Sequence, residues 1–217
     1  TIVSTLSAFI STGESVMKVS TSIELKVTLV VDFSEFIYMP GNHQGWDTSN
    51  APALRSPNFD GVYTGFSYLD GDFKFNKSRD SSWADGEYNF NDFSTFSPEI
   101  SQGEGTNFNA STPAFYYVVA DVATGDLSVT ATTWGIVGDA TGTWDATKGC
   151  WAATVTLTDG SIKFRANGGW DINVGGTIND LVFNSPDNIN VTAGTYLVEL
   201  YLQRIDSEKM YCNMTKQ

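Results

Sequence analysis

Val62-Tyr63-Thr64-Gly65-Phe66-Ser67-Tyr68-Leu69-Asp70-Gly71-Asp72-Phe73-Lys74-Phe75 reads as a strand, a turn and the opening of a second strand. The first eight residues are rich in β-branched and aromatic side chains, which suit a pleated, half-buried surface better than a helix. Asp70-Gly71 then offers a glycine that tolerates positive φ, and Phe73 and Phe75 flank Lys74 with the period of two that separates the faces of a strand. Alternation around an Asp-Gly pair predicts a hairpin, and the same pattern recurs at Asp60-Gly61 and Asp159-Gly160. Ile23, Leu25, Val27 and Leu29 alternate with Glu24, Lys26 and Thr28, and short strand-like runs follow at 36–39, 114–119, 151–157, 161–165 and 195–202. No segment carries three turns of apolar residues at helical spacing, so the chain reads as all-β, with sandwich architecture.

Working outward, residues 36–130 align with 133–217 in three ordered blocks. Phe36 to Gly41 and Trp46-Asp47 match Trp134 to Gly138 and Trp144-Asp145. Gly61-Val62-Tyr63, Asp70-Gly71, Phe73-Lys74-Phe75 and Trp83 match Gly149-Cys150-Trp151, Asp159-Gly160, Ile162-Lys163-Phe164 and Trp170. Phe108-Asn109-Ala110 and the run 115–119 match Ile189-Asn190-Val191 and 196–200. The repeat predicts one β-sandwich at 34–131 and a second at 132–217. Residues 1–33 fall outside it and are too few for a core of their own, so they are expected to be the closing strands of a preceding immunoglobulin-like domain, or a linker.

The 217 residues carry a formal net charge of −13, and no basic run exists. That excludes nucleic acid and anionic membrane as electrostatic partners, because neutralising phosphates requires clustered Lys and Arg. No apolar run approaches the ~20 residues of a spanning helix. Two cysteines, Cys150 and Cys212, are too few for a disulfide framework or a cysteine-based zinc site; they are separate strand thiols or one bond. A single histidine, His43, leaves no multi-histidine metal centre and one weak candidate for a Ser-His-Asp triad. The acidic residues sit mostly beside Gly, Asn or Ser, where turn formation accounts for them, and the stretch 70–92 lacks an EF-hand pattern. The residues therefore argue for no catalytic group, no metal and no cofactor.

Sugar recognition asks for different residues. A pyranose has an apolar C–H face that an indole can cover and a hydroxyl rim that Lys, Asn or Asp can bond. The order Trp, Lys, Trp occurs twice, as Trp46, Lys74, Trp83 and as Trp144, Lys163, Trp170. Each lysine lies between apolar neighbours in a strand and so points to the opposite face. The four tryptophans neighbour Gly, Asp, Asn or Thr, whereas Trp134 and Trp151 lie in strand-like runs and are expected to be core.

At these residues the chain resembles the SusE/SusF-type surface glycan-binding lipoproteins of Bacteroidetes. The resemblance rests on Tyr38-Met39-Pro40-Gly41-Asn42-His43-Gln44-Gly45-Trp46, on Phe73-Lys74-Phe75, and on Lys163-Phe164-Arg165-Ala166-Asn167 through Trp170-Asp171-Ile172-Asn173 to Gly175-Gly176. It implies tandem immunoglobulin-like β-sandwich carbohydrate-binding modules that hold starch or another α-glucan without hydrolysing it. It also implies an outer-membrane, cell-surface lipoprotein, held by a lipid anchor outside this stretch of chain, beside a TonB-dependent transporter and its substrate-binding lipoprotein. The implied site residues are Trp46, Lys74 and Trp83 in the first half and Trp144, Lys163, Trp170 and Asn167 in the second. The loop before Trp144 departs from the Gly-Trp pattern, and 91–105 is an insert in the first half, which keeps xylan, fructan and pectic galactan open as ligands. A β-sandwich glycosidase and a non-binding adhesin or spacer are the competing readings.

Overall fold

The computed structural model describes residues 2–11, 16–25, 33–137, 140–205 and 208–217. The chain divides into two compact units, Thr1–Asp32 and Phe33–Gln217. In the first, strand Ile2–Ser11 pairs antiparallel with Val16–Leu25, Ile2 opposite Leu25 and Ser11 opposite Val16, as a two-stranded sheet. Of the alternation at 23–29, residues 23–25 lie in this strand and 26–29 lie outside the described residues.

The second unit is all-β, with three single-turn 3-10 helices among its described residues. Val62–Leu69 lies between Ala53–Arg55 and Ala114–Asp121, and Ala114–Asp121 pairs onward with Asp126–Ala131. The later half repeats this arrangement. There Cys150–Leu157 pairs with Gly194–Tyr201, which pairs with Tyr211–Lys216.

The aligned blocks occupy equivalent pairings: Phe73 lies opposite Phe108, and Ile162, which aligns with Phe73, lies opposite Ile189, which aligns with Phe108. In both halves an early strand, Phe36–Tyr38 or Trp134–Val137, pairs antiparallel with the strand that follows the lysine.

The Asp-Gly pairs correct one expectation. Asp60-Gly61 does join antiparallel neighbours, Ala53–Arg55 and Val62–Leu69. At Asp70-Gly71, however, the chain leaves one sheet and enters another, since Asp72–Phe73 pairs with Phe108–Ala110 and not with Val62–Leu69. Asp159-Gly160 does the same in the later half. Turn residues license a sharp reversal but do not select the strand that is met afterwards.

The run 161–165 is likewise broken at Lys163, with Gly160–Ile162 and Phe164–Ala166 in different sheets; Lys74 occupies the same break between Asp72–Phe73 and Phe75–Asn76.

Two hydrophobic cores fill the unit. Ile37, Leu54, Phe73, Phe75, Phe108 and Val118 belong to the first and are fully buried, each large side chain contributing roughly 1.5–3 kcal/mol. Trp134, Phe164, Val174, Val198 and Leu200 belong to the second. Phe66 and Phe115 come from strands of the earlier half but pack in the second core, with Tyr68 and Tyr117 against it. Phe66 meets the edge of Trp134 at 5.3 Å between ring centres and 81° between planes. The halves are also joined by backbone: the Ala53 amide donates to the Arg204 carbonyl at 2.9 Å. Trp134 and Trp151 are buried, as their strand contexts predict.

Cys150 and Cys212 are buried, free thiols in the sheet of the later half. Burial raises both above the ordinary thiol value, Cys212 to about 12.

Candidate functional site

In the first half the Pro40-Gly41 turn sets the position of Trp46. Gly41 is extended, and a β-carbon there would fall 2.5 Å from the Asp72 carbonyl oxygen, so only glycine fits against that strand. A 3-10 turn at Asn42–Gln44 follows, closed by Gly45 in the left-handed region. The Trp46 amide then donates to the Gly41 carbonyl at 2.9 Å, and its indole N–H donates to the Asn42 side-chain oxygen at 2.9 Å. Asp47 caps the next turn, and bonds from Ser49 and Asn50 hold its carboxyl below the usual carboxylate range.

Trp83 stands on the loop that closes where the Lys77 amide donates to the Gly86 carbonyl at 3.0 Å. The two tryptophan loops touch through the Thr48 hydroxyl, which donates to the Arg79 carbonyl at 3.2 Å, and the Arg79 guanidinium, which donates to the Ser49 carbonyl at 2.8 Å. Lys74 is anchored by its amide to the Pro40 carbonyl, and its ammonium is ion-paired with Glu87 at 2.9 Å. The structure thus gathers Trp46, Lys74 and Trp83 on neighbouring segments. The lysine has three donors, of which Glu87 takes one.

Both indoles are half-buried, and both residues hold left-handed backbone, φ 62° at Trp46 and 58° at Trp83. Bulky side chains rarely adopt that region, where a residue costs about 1–3 kcal/mol and persists only if its surroundings impose it. Such strain concentrates at ligand-contacting loops.

In the later half the expected trio is not assembled. Trp170 is 58% exposed on the turn between Phe164–Ala166 and Asn173–Thr177, with the Arg165 guanidinium 4.8 Å from its ring centre. Asn173 steadies that turn by donating to the Trp170 carbonyl at 2.7 Å. Lys163 belongs to the same hairpin region, and its ammonium donates to the Ser185 carbonyl at 2.6 Å.

Trp144 is elsewhere. It sits in strand Thr143–Asp145 opposite Trp151, and its ring meets Phe115 at 4.6 Å, Trp151 at 5.8 Å and, nearly parallel, Tyr68 at 6.0 Å. A residue with loop-like neighbours in sequence is therefore a strand residue covered by the earlier half.

Asn167 is also corrected. Its side-chain oxygen accepts from the Thr133 amide at 2.8 Å and its NH₂ donates to the Ala131 carbonyl at 2.9 Å, so it fastens the connection between the halves.

Arg165 is the residue that sequence reading passed over. It lies in strand Phe164–Ala166 beside buried Phe164, two residues after Lys163, where the strand is broken.

His43 lies under the first loop. Burial holds its imidazole down to about 4, so it is neutral near pH 7. Among the described residues no group of three His, Cys, Asp or Glu could hold a metal ion, and no helix is long and apolar enough to cross a membrane. No protein-family model matches the chain, and no curated protein shows significant similarity to it.

Proposed function

We propose that this chain binds a neutral polysaccharide without cleaving it, with starch or a related α-glucan as the favoured ligand. The observation that carries the reading is Trp170, an indole 58% exposed on a hairpin turn and backed by Arg165. A sugar's C–H face is matched by such an indole. The half-buried Trp46 and Trp83, on loops bonded to each other through Thr48 and Arg79, and Lys74 on an adjoining segment supply a second set of groups of the same chemistry. Two weak surfaces on one rigid unit would grip a polymer through effective concentration. The resemblance to SusE/SusF-type proteins supports a lipid-anchored position at the outer-membrane surface, beside a TonB-dependent transporter and its substrate-binding lipoprotein.

Affinity electrophoresis in native gels containing amylopectin, xylan or levan tests the reading. Amylopectin is expected to retard the parent chain, with Trp170→Ala and Trp46→Ala each migrating faster, and no reducing sugar is expected on incubation. Retardation by xylan or levan alone would change the ligand. Free migration in every gel would leave the spacer or adhesin reading, and release of reducing ends would make the chain an enzyme.

A further inference from the structure

Where the two halves meet there is an open groove of about 440 Å³ that neither half forms alone. His43, Tyr68 and Asp70 line it from the earlier half, and Trp144, Lys148 and Gln203 from the later one. The volume falls within the ~300–1,000 Å³ of small-molecule sites. Tyr68 and Trp144 set two nearly parallel rings, 8° apart, along one wall.

The polar complement is as telling as the aromatic one. The Gln203 side-chain oxygen accepts from the Tyr68 amide at 2.9 Å and from the Ser67 hydroxyl at 3.2 Å, which fixes the carboxamide with its NH₂ without a partner among the described residues. The Asp70 carboxylate and the Tyr68 hydroxyl likewise have no partner among the described residues. A donor, an acceptor and a group that is both therefore accompany the rings. The Trp144 indole N–H is buried with no hydrogen-bond partner among the described residues.

Charge narrows the occupant. Lys148 is ion-paired with Glu199, so Asp70 is the one unpaired formal charge among the lining residues, and an anionic sugar would be repelled. Aromatic walls with neutral donors and a carboxylate acceptor fit a hydroxyl-rich, uncharged ligand.

We propose that this groove is a further glycan subsite, which takes a short stretch of the same neutral polysaccharide and is completed only by the joining of the two halves. It rests on the glycan-binding reading, and it gives Trp144 a role outside the site to which the repeat assigned it. The groove lies between the surfaces' parent halves, so a chain seated in it contacts both.

The test is a nuclear magnetic resonance titration of the full chain, observing the six ¹⁵N-indole signals, each assigned by a single Trp→Phe variant. Maltoheptaose, xylohexaose and a levan-derived fructo-oligosaccharide are titrated separately. The proposal expects the Trp144 signal to shift with the saturation curve of the sugar that binds. Asp70→Ala, at an exposed residue whose side chain has no partner among the described residues, should move the midpoint of the Trp144 shift to about 3- to 10-fold higher sugar, the effect of one lost hydrogen bond, while the Trp170 titration is unchanged. Shifts at Trp46, Trp83 and Trp170 with Trp144 silent would overturn the groove and leave the surface reading intact. A Trp144 shift with the other three silent would do the reverse. Unchanged binding and an unchanged Trp144 shift in Asp70→Ala also overturn the groove, and three sugars that move no indole overturn both.

Discussion

Phe66→Ala should destabilise both halves of the chain together although the residue belongs to the earlier one. The Phe66 ring is fully buried and touches Phe115 and Tyr117 from its own half, and Trp134 and Phe183 from the other, at centroid distances of 6.3, 5.2, 5.3 and 6.2 Å. Removing a buried phenyl group costs about 3–5 kcal/mol, part transfer energy and part cavity. A chain of this size loses ~2–4 °C of melting temperature per kcal/mol, so the melt should fall by roughly 6–20 °C. Because the cavity opens onto Trp134, the loss should appear in both halves together. Differential scanning calorimetry should show one transition for Phe33–Gln217, lowered as a whole. Amide exchange along Cys150–Leu157 and Gly194–Tyr201 should quicken with it. Two transitions, with the later half melting at the parent temperature, would refute the claim that the halves share a core.

Acid should destabilise the chain through His43. Its folded value of about 4 lies below the ordinary 6.5, so between these values the unfolded chain takes up a proton that the folded chain refuses. Stability from this group is full above pH 6.5 and falls by about 3 kcal/mol as pH drops to 4. Urea titrations of parent and His43→Gln at pH 7, 5.5 and 4 should converge by that amount, and parallel curves would contradict it. Cys150 and Cys212, buried and with raised thiol values, should resist an aromatic disulfide reagent at pH 8 and react only after unfolding in urea. Asn167→Ala should cost about 0.5–1.5 kcal/mol by removing the acceptor of the exposed Thr133 amide, while retardation in polysaccharide gels stays at the parent value.

Strand positions were legible because they are local patterns. The run at 62–69 matches strand Val62–Leu69, and the aligned Phe73 and Ile162 meet aligned partners. The destination of a turn was not legible. Asp70-Gly71 specifies a bend, but whether the next strand joins the same sheet depends on Phe108–Ala110, more than thirty residues away. Trp144 shows the same limit. Its neighbours Thr143 and Asp145 suggest a loop, and only the arrival of Tyr68 and Phe115 turns it into part of an interface. The resemblance makes Asn167 a sugar ligand, while its partners are main-chain atoms at 131 and 133. Trp46 and Lys74 hang from adjoining backbone that the Pro-Gly turn brings together.

The left-handed backbone at Trp46 and Trp83 has a consequence for how the chain would change over generations. At both positions glycine relieves a strain that tryptophan cannot, so random substitution under selection for heat tolerance alone has a downhill path that erases the indoles. Trp170, on an exposed turn without positive φ, offers no such reward for its loss. A population propagated without polysaccharide should therefore shed the first surface before the second.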